Sequence, residues 1–181
     1  MKGLIIYSDF MEDNEALSTT ALLRRAKFLI DSATIHDNLI VKTAYGIEVK
    51  ADKNLAKIEF NAYDFLIIPG GPYVAKIIDD ADYIYDTIKA FNEQDKDIYA
   101  ICAAPRFLGR LGMLDDLKFT AFPGSEKDAL NGKYLKDEKV VVTPKIITAR
   151  SAGAVIDFVY QIIYKNQGKK AAKGLINNIM Y

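Results

Sequence analysis

The only cysteine of the chain, Cys102, lies between an apolar segment and the start of a predicted helix. Ile98 to Ile101 has the length of a buried parallel strand. Pro105 suits the first turn of a helix, where its missing N–H would have no partner. The two alanines between Cys102 and Pro105 are small enough to permit a sharp turn. This pattern is typical of a nucleophile elbow, which presents a reactive side chain at the carboxyl edge of a sheet.

The position after the strand predicts a reactive sulfur. The free N–H groups and the positive dipole end of the following helix favour a thiolate, so we expect a lowered pKa for Cys102. The alternative is a core cysteine, the usual role of a lone cysteine in an apolar strand. The elbow favours the reactive interpretation. A single cysteine cannot form an internal disulfide, which fits a reducing, cytoplasmic environment.

Three other segments are predicted at the same edge, because ligands of parallel sheets bind outside the carboxyl ends of the strands. They are Ser8 to Glu15, Gly70-Gly71 and Arg150 to Gly153. The N–H groups of Gly70, Gly71 and Ala103 could line an oxyanion pocket, since glycine lets backbone approach a ligand closely. Glu15 could point toward the sulfur, and Arg150 could reach an acid across this edge of the sheet. Structural alternatives stay open. The two glycines could simply form a turn, Glu15 could be a solvated carboxylate that interacts with the helix dipole, and Arg150 could face water.

The only histidine, His36, follows a predicted strand beside Asp37 and is interpreted as a loop residue. No cluster of cysteine and histidine residues has the spacing of a zinc site, so no metal ligands are predicted. No cofactor is expected either.

The remaining pattern alternates between strands and helices. The predicted strands are Lys2 to Tyr7, Ala33 to His36, Leu39 to Thr43 and Ile47 to Lys50 (a hairpin outside the main sheet), Phe65 to Ile68, Ile98 to Ile101, Phe119 to Phe122, Val140 to Val142 and Ile146 to Ala149. The predicted helices cover Leu17 to Phe28 (capped by Asp13 or Asn14), a short segment after Tyr73, Asp82 to Gln94, Pro105 to Gly112, Ala152 to Tyr164 and Gly168 to Tyr181. This alternation predicts one domain over residues 1–181, an α/β fold with a doubly wound, mostly parallel sheet and helices on both faces.

Composition excludes several classes of protein. Half of the 181 residues are hydrophobic and 27% are charged, as in an ordinary globular domain. Lys plus Arg and Asp plus Glu both number 24, so no net field favours nucleic acid or an anionic membrane as a partner. No apolar run approaches the ~18 residues that a membrane-spanning helix needs. The N-terminus lacks the features of a signal peptide, so a cytoplasmic location is expected.

Several of these motifs together resemble one family. Tyr63 to Gly71, followed by Ala100 to Pro105, is similar to the DJ-one/ThiJ/PfpI superfamily, most closely to its DJ-one branch. Glu15 stands before Arg24-Arg25 as the family's glutamate stands before its own arginines. Thr148 to Gly153 resembles the Thr-Ser-Arg-Gly-Pro-Gly turn of the family, with alanine in place of the serine and the proline.

The resemblance implies a flavodoxin-like, class I glutamine amidotransferase-like fold that forms a homodimer. It makes Cys102 the reactive cysteine, Glu15 the acid hydrogen-bonded to it, and Gly71 and Ala103 the oxyanion donors. Members of this branch are credited with cofactor-free conversion of methylglyoxal or glyoxal to hydroxy acids, with deglycation of early glycated amines, and with oxidation sensing or chaperone activity. A small aldehyde or a glycated amine is therefore the expected substrate.

Two departures from the family pattern restrict the function. Phe122 stands where many members place a histidine near the cysteine, and Ala103 follows Cys102 where protease-like members have a histidine. With His36 elsewhere, a Cys-His-acid peptidase site is not expected. The leading prediction is a glyoxalase or deglycase that uses Cys102 and Glu15. The alternative is an oxidative-stress sensor or redox chaperone that acts through oxidised Cys102. A third interpretation, a thiamine-biosynthesis or amidotransferase-like role, rests only on the names of relatives.

Overall fold

A central seven-stranded sheet organises the chain, whose computed structural model describes residues 1–181. The strands are β1 (Lys2–Ile6), β2 (Leu29–Thr34), β3 (Ile40–Lys42), β4 (Glu48–Lys50), β5 (Lys53–Asn54), β6 (Phe65–Ile68), β7 (Asp97–Ile101), β8 (Lys118–Phe119), β9 (Lys133–Tyr134), β10 (Val140–Val142) and β11 (Ile146–Ala149). Their order in the central sheet is β10-β11-β7-β6-β1-β2-β5. All neighbours are parallel except β10 and β11.

Six α-helices accompany the sheet. They are α1 (Thr19–Arg25), α2 (Tyr73–Ile77), α3 (Asp82–Glu93), α4 (Pro105–Arg110), α5 (Val155–Gln167) and α6 (Lys169–Asn178), and a π-helical turn at Asn14–Ser18 precedes α1. Helix α5 packs on α1 and α6, whereas α3 packs on α4, β6 and β7. No helix combines the length and the apolar character needed to cross a bilayer.

The middle of the sheet is apolar because helices cover it. Every residue of β6 is buried, as is every residue of β7 after Asp97. Such continuous apolar strands are typical of parallel sheets whose two faces are both covered. The predicted mostly parallel α/β fold is therefore confirmed.

The first helix and the second strand differ from their predicted bounds. Helix α1 ends at Arg25, and Lys27 adopts a positive φ of 67°. That turn lets Leu29 pair with Lys2, so β2 starts four residues before the predicted Ala33. The prediction was wrong because the polar residues Asp31 and Ser32 interrupt the apolar pattern of this strand.

Two local predictions are also corrected. The side chain of Asp13 does not cap the first helix. It instead accepts hydrogen bonds from Thr43 Oγ1 at 2.5 Å and from the Tyr45 N–H at 3.2 Å. The predicted strand from Phe119 to Phe122 is shorter, since β8 ends at Phe119. The Thr120 N–H then donates to Thr148 Oγ1 at 2.9 Å, and this turns the chain toward the carboxyl edge of β7.

Candidate active site

Cys102 directly follows β7 in a backbone conformation that few non-glycine residues adopt. Its φ is +65°. Its N–H donates to the Ala149 carbonyl at 2.8 Å, and its own carbonyl accepts the Phe122 N–H at 2.8 Å. These two hydrogen bonds fix the backbone of Cys102 on both sides, because a strained backbone conformation persists only where the surrounding structure holds it in place. Pro105 occupies the start of α4, so the strand-turn-helix geometry is that of a nucleophile elbow.

Glu15 places a carboxyl group beside this elbow. Its side chain is fully buried in the π-helical turn. The Gly70 N–H donates to Glu15 Oε2 at 3.0 Å, whereas Oε1 has no hydrogen-bond partner in the chain. A Cβ on Gly70 would lie 2.7 Å from Glu15 Oε2 and 2.6 Å from Cys102 Cβ. Glycine at position 70 therefore lets the Glu15 carboxyl group and the Cys102 side chain lie close together.

The protonation of Glu15 is set mainly by burial. Desolvation raises the pKa of its carboxyl group to about 7, and the negative charge of Glu12 acts in the same direction. The polar groups of Cys102, Gly70 and Ala152 act in the opposite direction by stabilising the carboxylate, and among them only the Gly70 N–H lies within hydrogen-bond geometry of it. Near neutral pH the carboxyl group can therefore either accept or donate a proton.

Burial also raises the pKa of the Cys102 thiol, and the negative charge of Glu15 raises it further. The Ala103 N–H acts against this by stabilising the thiolate. This direction is opposite to the lowered pKa predicted from the sequence, because that prediction counted the helix end but neither the burial of the thiol nor the charge of the neighbouring carboxylate. Protonation of Glu15 removes the opposing charge, so the thiol and the carboxyl group titrate as one coupled pair.

The pair opens into a cavity of about 420 Å³, within the usual range of small-molecule sites. Four of the predicted site residues line it, namely Cys102, Glu15, Gly71 and Ala103. A larger cavity of about 620 Å³ lies beside α1, α5 and the C-terminal residues. It contains neither Cys102 nor Glu15, so the smaller cavity is the candidate active site.

Two backbone N–H groups in this cavity are suited to stabilise an oxyanion. The N–H of Gly71 donates to no atom of the chain, and the N–H of Ala103 donates to no oxygen. Gly71 has a φ of +125°, and a Cβ there would lie 2.5 Å from the Glu12 nitrogen. Only glycine therefore permits this close approach of the loop after β1.

Comparison with known proteins identifies the family of the chain. The family model described as "DJ-1/PfpI family" matches residues 1–165. The chain belongs to the DJ-1/PfpI family. It is 26% identical over 179 residues to Protein dj-1beta of Drosophila melanogaster, covering 96% of each protein. It is 29% identical to a protein named Putative cysteine protease YraA of Bacillus subtilis, covering 83% of this chain and 89% of that protein. The solved structure of oxidized DJ-1 from Toxoplasma gondii is 31% identical, with a TM-score of 0.89 over 99% of this chain and 98% of that one.

Two predicted members of the DJ-1/PfpI site lie differently from expectation. The Gly70 N–H is used by Glu15, so Gly70 positions the acid and does not serve as an oxyanion donor. Arg150 does not line the cavity. Its guanidinium faces the carbonyls of Lys136 and Asp137 at 3.4 and 3.3 Å. The expectation that Arg150 reaches the site is corrected, because the residue after Ala149 in β11 turns toward the loop between β9 and β10.

The single histidine of this family member is remote from the sulfur. His36 Nε2 lies 3.1 Å from Asp9 Oδ2, and both residues line a different cavity. Phe122 lines the Cys102 cavity instead and is half exposed. No imidazole is therefore available beside Cys102 to activate it for peptide hydrolysis.

Sequence reasoning gave no role to three polar residues that line the DJ-1/PfpI cavity, namely Glu12, Arg106 and Ser125, although Glu12 lies in the segment Ser8 to Glu15 that was predicted at this edge. Glu12 Oε2 accepts the Glu15 N–H at 2.7 Å and so holds the start of the π-helical turn. Its spacing of three residues before Glu15 is a helix-start signal that could have been used. Arg106 follows Cys102 by one helical turn, and that spacing was the available signal for a second charged group in the site.

Proposed function

We propose that this protein is a cysteine-dependent, cofactor-independent glyoxalase that converts methylglyoxal-type α-oxoaldehydes to 2-hydroxy acids. The observation that carries the proposal is Glu15, a fully buried acid beside Cys102 with a pKa of about 7 and one oxygen without a partner. A group with these properties suits proton transfer between adjacent carbons at neutral pH. Family membership supports a DJ-1-type site and leaves the reaction to be tested.

The first step would form a carbon–sulfur bond. Ionised Glu15 takes the thiol proton of Cys102, and the sulfur adds to the aldehyde carbon. The carbonyl electron pair moves onto the oxygen, where the N–H groups of Gly71 and Ala103 stabilise the negative charge. Protonation of this oxygen by Glu15 completes a hemithioacetal.

The second step would move two protons. The Glu15 carboxylate removes the proton on the former aldehyde carbon and returns it to the adjacent carbon, while the hydroxyl proton of the hemithioacetal passes to the neighbouring ketone oxygen. The product is a 2-hydroxy thioester. Water then breaks the carbon–sulfur bond and releases the 2-hydroxy acid and the Cys102 thiol. One carbon is oxidised while its neighbour is reduced, so no external oxidant is needed. An early glycated amine would enter the same steps after release of its amine.

The proposal is tested by following methylglyoxal and lactate by NMR with the purified protein. We expect lactate formation by the wild-type protein and none above background by Cys102→Ala. Arg150→Gln is the matched control, because Arg150 lies outside the cavity, and it should retain wild-type turnover. Wild-type turnover by Cys102→Ala would refute the proposed mechanism.

Oxidation sensing is a second candidate that a separate observation favours. Cys102 is partly exposed in the cavity and no second cysteine exists to form a disulfide, so oxidation would stop at sulfenic or sulfinic acid. The similar Toxoplasma gondii structure is described as oxidized. After mild peroxide we expect a mass increase of about 32 Da on Cys102, the mass of two oxygens. A cysteine that stays unmodified would argue against a sensor.

A further inference from the structure

Arg106 is a charged side chain buried in the wall of the Cys102 cavity. It lies in the first turn of α4, four residues after the reactive cysteine. Only 9% of its side chain is exposed, and it lines the same cavity as Cys102 and Glu15. A buried charge is costly unless it is paired, so the partners of this guanidinium determine what it can bind.

One edge of the guanidinium is already occupied. Arg106 Nε donates to Asp128 Oδ2, and Arg110 Nε donates to the other oxygen of Asp128 at 2.5 Å. Burial alone would raise the pKa of Asp128, but the hydrogen bonds from the two arginines outweigh it and hold that pKa below its usual range. Asp128 therefore stays ionised, and its single charge is shared between two guanidinium groups.

The other edge of Arg106 is open. Its two terminal nitrogens donate no hydrogen bond within the chain, and neither is sealed from solvent. These nitrogens form the planar fork that matches both oxygens of a carboxylate. Ser125, which lines the same cavity and is 6% exposed, has a hydroxyl group that likewise makes no hydrogen bond within the chain.

We propose that Arg106 and Ser125 form a carboxylate subsite, so that the preferred substrate is an α-oxoaldehyde that carries a carboxylate. The turnover of such a substrate rests on the proposed glyoxalase function, whereas the binding of its carboxylate to Arg106 and Ser125 does not. Glu12 and Glu15 come from the loop and turn after β1, whereas Arg106 and Ser125 come from α4 and the loop after β8. A substrate with an electrophilic end and an anionic end would thus be oriented with its aldehyde at Cys102.

The subsite is tested with 4,5-dioxopentanoate and its methyl ester, which share a carbon skeleton and differ in charge. The measured quantity is the ratio of kcat/KM for the acid to kcat/KM for the ester. We expect a ratio of about 10 or more for the wild-type protein, which falls toward 1 in Arg106→Gln. Arg110→Gln is the matched control, because Arg110 shares Asp128 but does not line the cavity, and it should keep the wild-type ratio.

A second measurement does not depend on turnover. The rate of Cys102 alkylation by anionic iodoacetate, divided by the rate with neutral iodoacetamide, should fall severalfold in Arg106→Gln and stay unchanged in Arg110→Gln. If neither dioxopentanoate compound is turned over but this ratio falls, the glyoxalase proposal fails and the subsite stands. If both ratios are the same in the wild-type protein and Arg106→Gln, the subsite is refuted. Should Arg106→Gln not fold, Arg106→Met keeps the apolar stem and reports the same ratios.

Discussion

At the scale of single residues, the site consists of a thiol and a carboxyl group that share protons. The carboxyl group is fully buried and the thiol is mostly buried, and the negative charge of Glu15 disfavours ionisation of the thiol. The carboxyl group of Glu15 is the more informative of the two, because its pKa of about 7 differs from the usual 4.5 of a glutamate. This difference affects stability as well as chemistry.

Glu15 should make the folded state less stable as the pH rises. Its pKa is higher in the folded than in the unfolded state, so the folded state binds more protons between about pH 4.5 and pH 7. Its contribution to the free energy of unfolding is full below pH 4.5 and is lost as the pH rises through 7. The upper limit of this loss is about 3 kcal/mol.

Glu15→Gln should remove this pH dependence. We expect the free energy of unfolding of the variant to exceed that of the wild-type protein at pH 8 and to approach it at pH 5. Urea denaturation at both pH values measures the difference. If the free energies of unfolding of the two proteins differ by the same amount at pH 5 and at pH 8, the raised pKa of Glu15 is contradicted.

At the scale of elements, two loops meet at the carboxyl ends of β6 and β7. Gly70 follows β6, and the turn that holds Cys102 follows β7. The hydrogen bond from Gly70 to Glu15 joins the π-helical turn after β1 to these two loops. The candidate active site therefore lies at the carboxyl ends of three neighbouring parallel strands, β1, β6 and β7.

Gly70→Ala should disturb this junction. The new methyl group would lie 2.6 Å from Cys102 Cβ and 2.8 Å from the Ile101 carbonyl oxygen, closer than real contacts allow. We expect a loss of about 1–3 kcal/mol in the free energy of unfolding together with lost activity. Gly174→Ala is the control, since a Cβ at that position in α6 meets nothing within 4 Å and should be neutral or stabilising. Equal stability of the two variants would contradict the packing at Gly70.

The sequence allowed the elbow to be predicted because strand, cysteine and Pro105 lie next to one another in the chain. It also indicated Glu15, Gly71 and Ala103, which the parallel topology brings to one edge. It could not indicate the direction of Arg150, because the register of β11 against β10 decides which way that residue turns. It also missed Arg106, since an arginine on a helix usually faces water and only the fold shows Asp128 beside it.

At the scale of the whole molecule, the homodimer stays a prediction that rests on family resemblance. The groove beside α1 and α5 is lined largely by hydrophobic side chains, Leu22 and Ile156 among them. We expect sedimentation to give about twice the 20.2 kDa mass of one chain. Ala21→Arg, which places a charge in this groove, should lower the measured mass. A monomer mass for the wild-type protein at micromolar concentration would contradict the prediction.

The central claim is that Glu15 carries the proton in a reaction that begins at Cys102. The most direct test is the kcat for lactate formation from methylglyoxal by Glu15→Gln, with Cys102 alkylation by iodoacetamide as the control for an intact, accessible thiol. We predict a fall in kcat of about 100-fold or more, the usual size of a lost general acid or base, while Cys102 is still alkylated. A kcat equal to that of the wild-type protein would contradict the account.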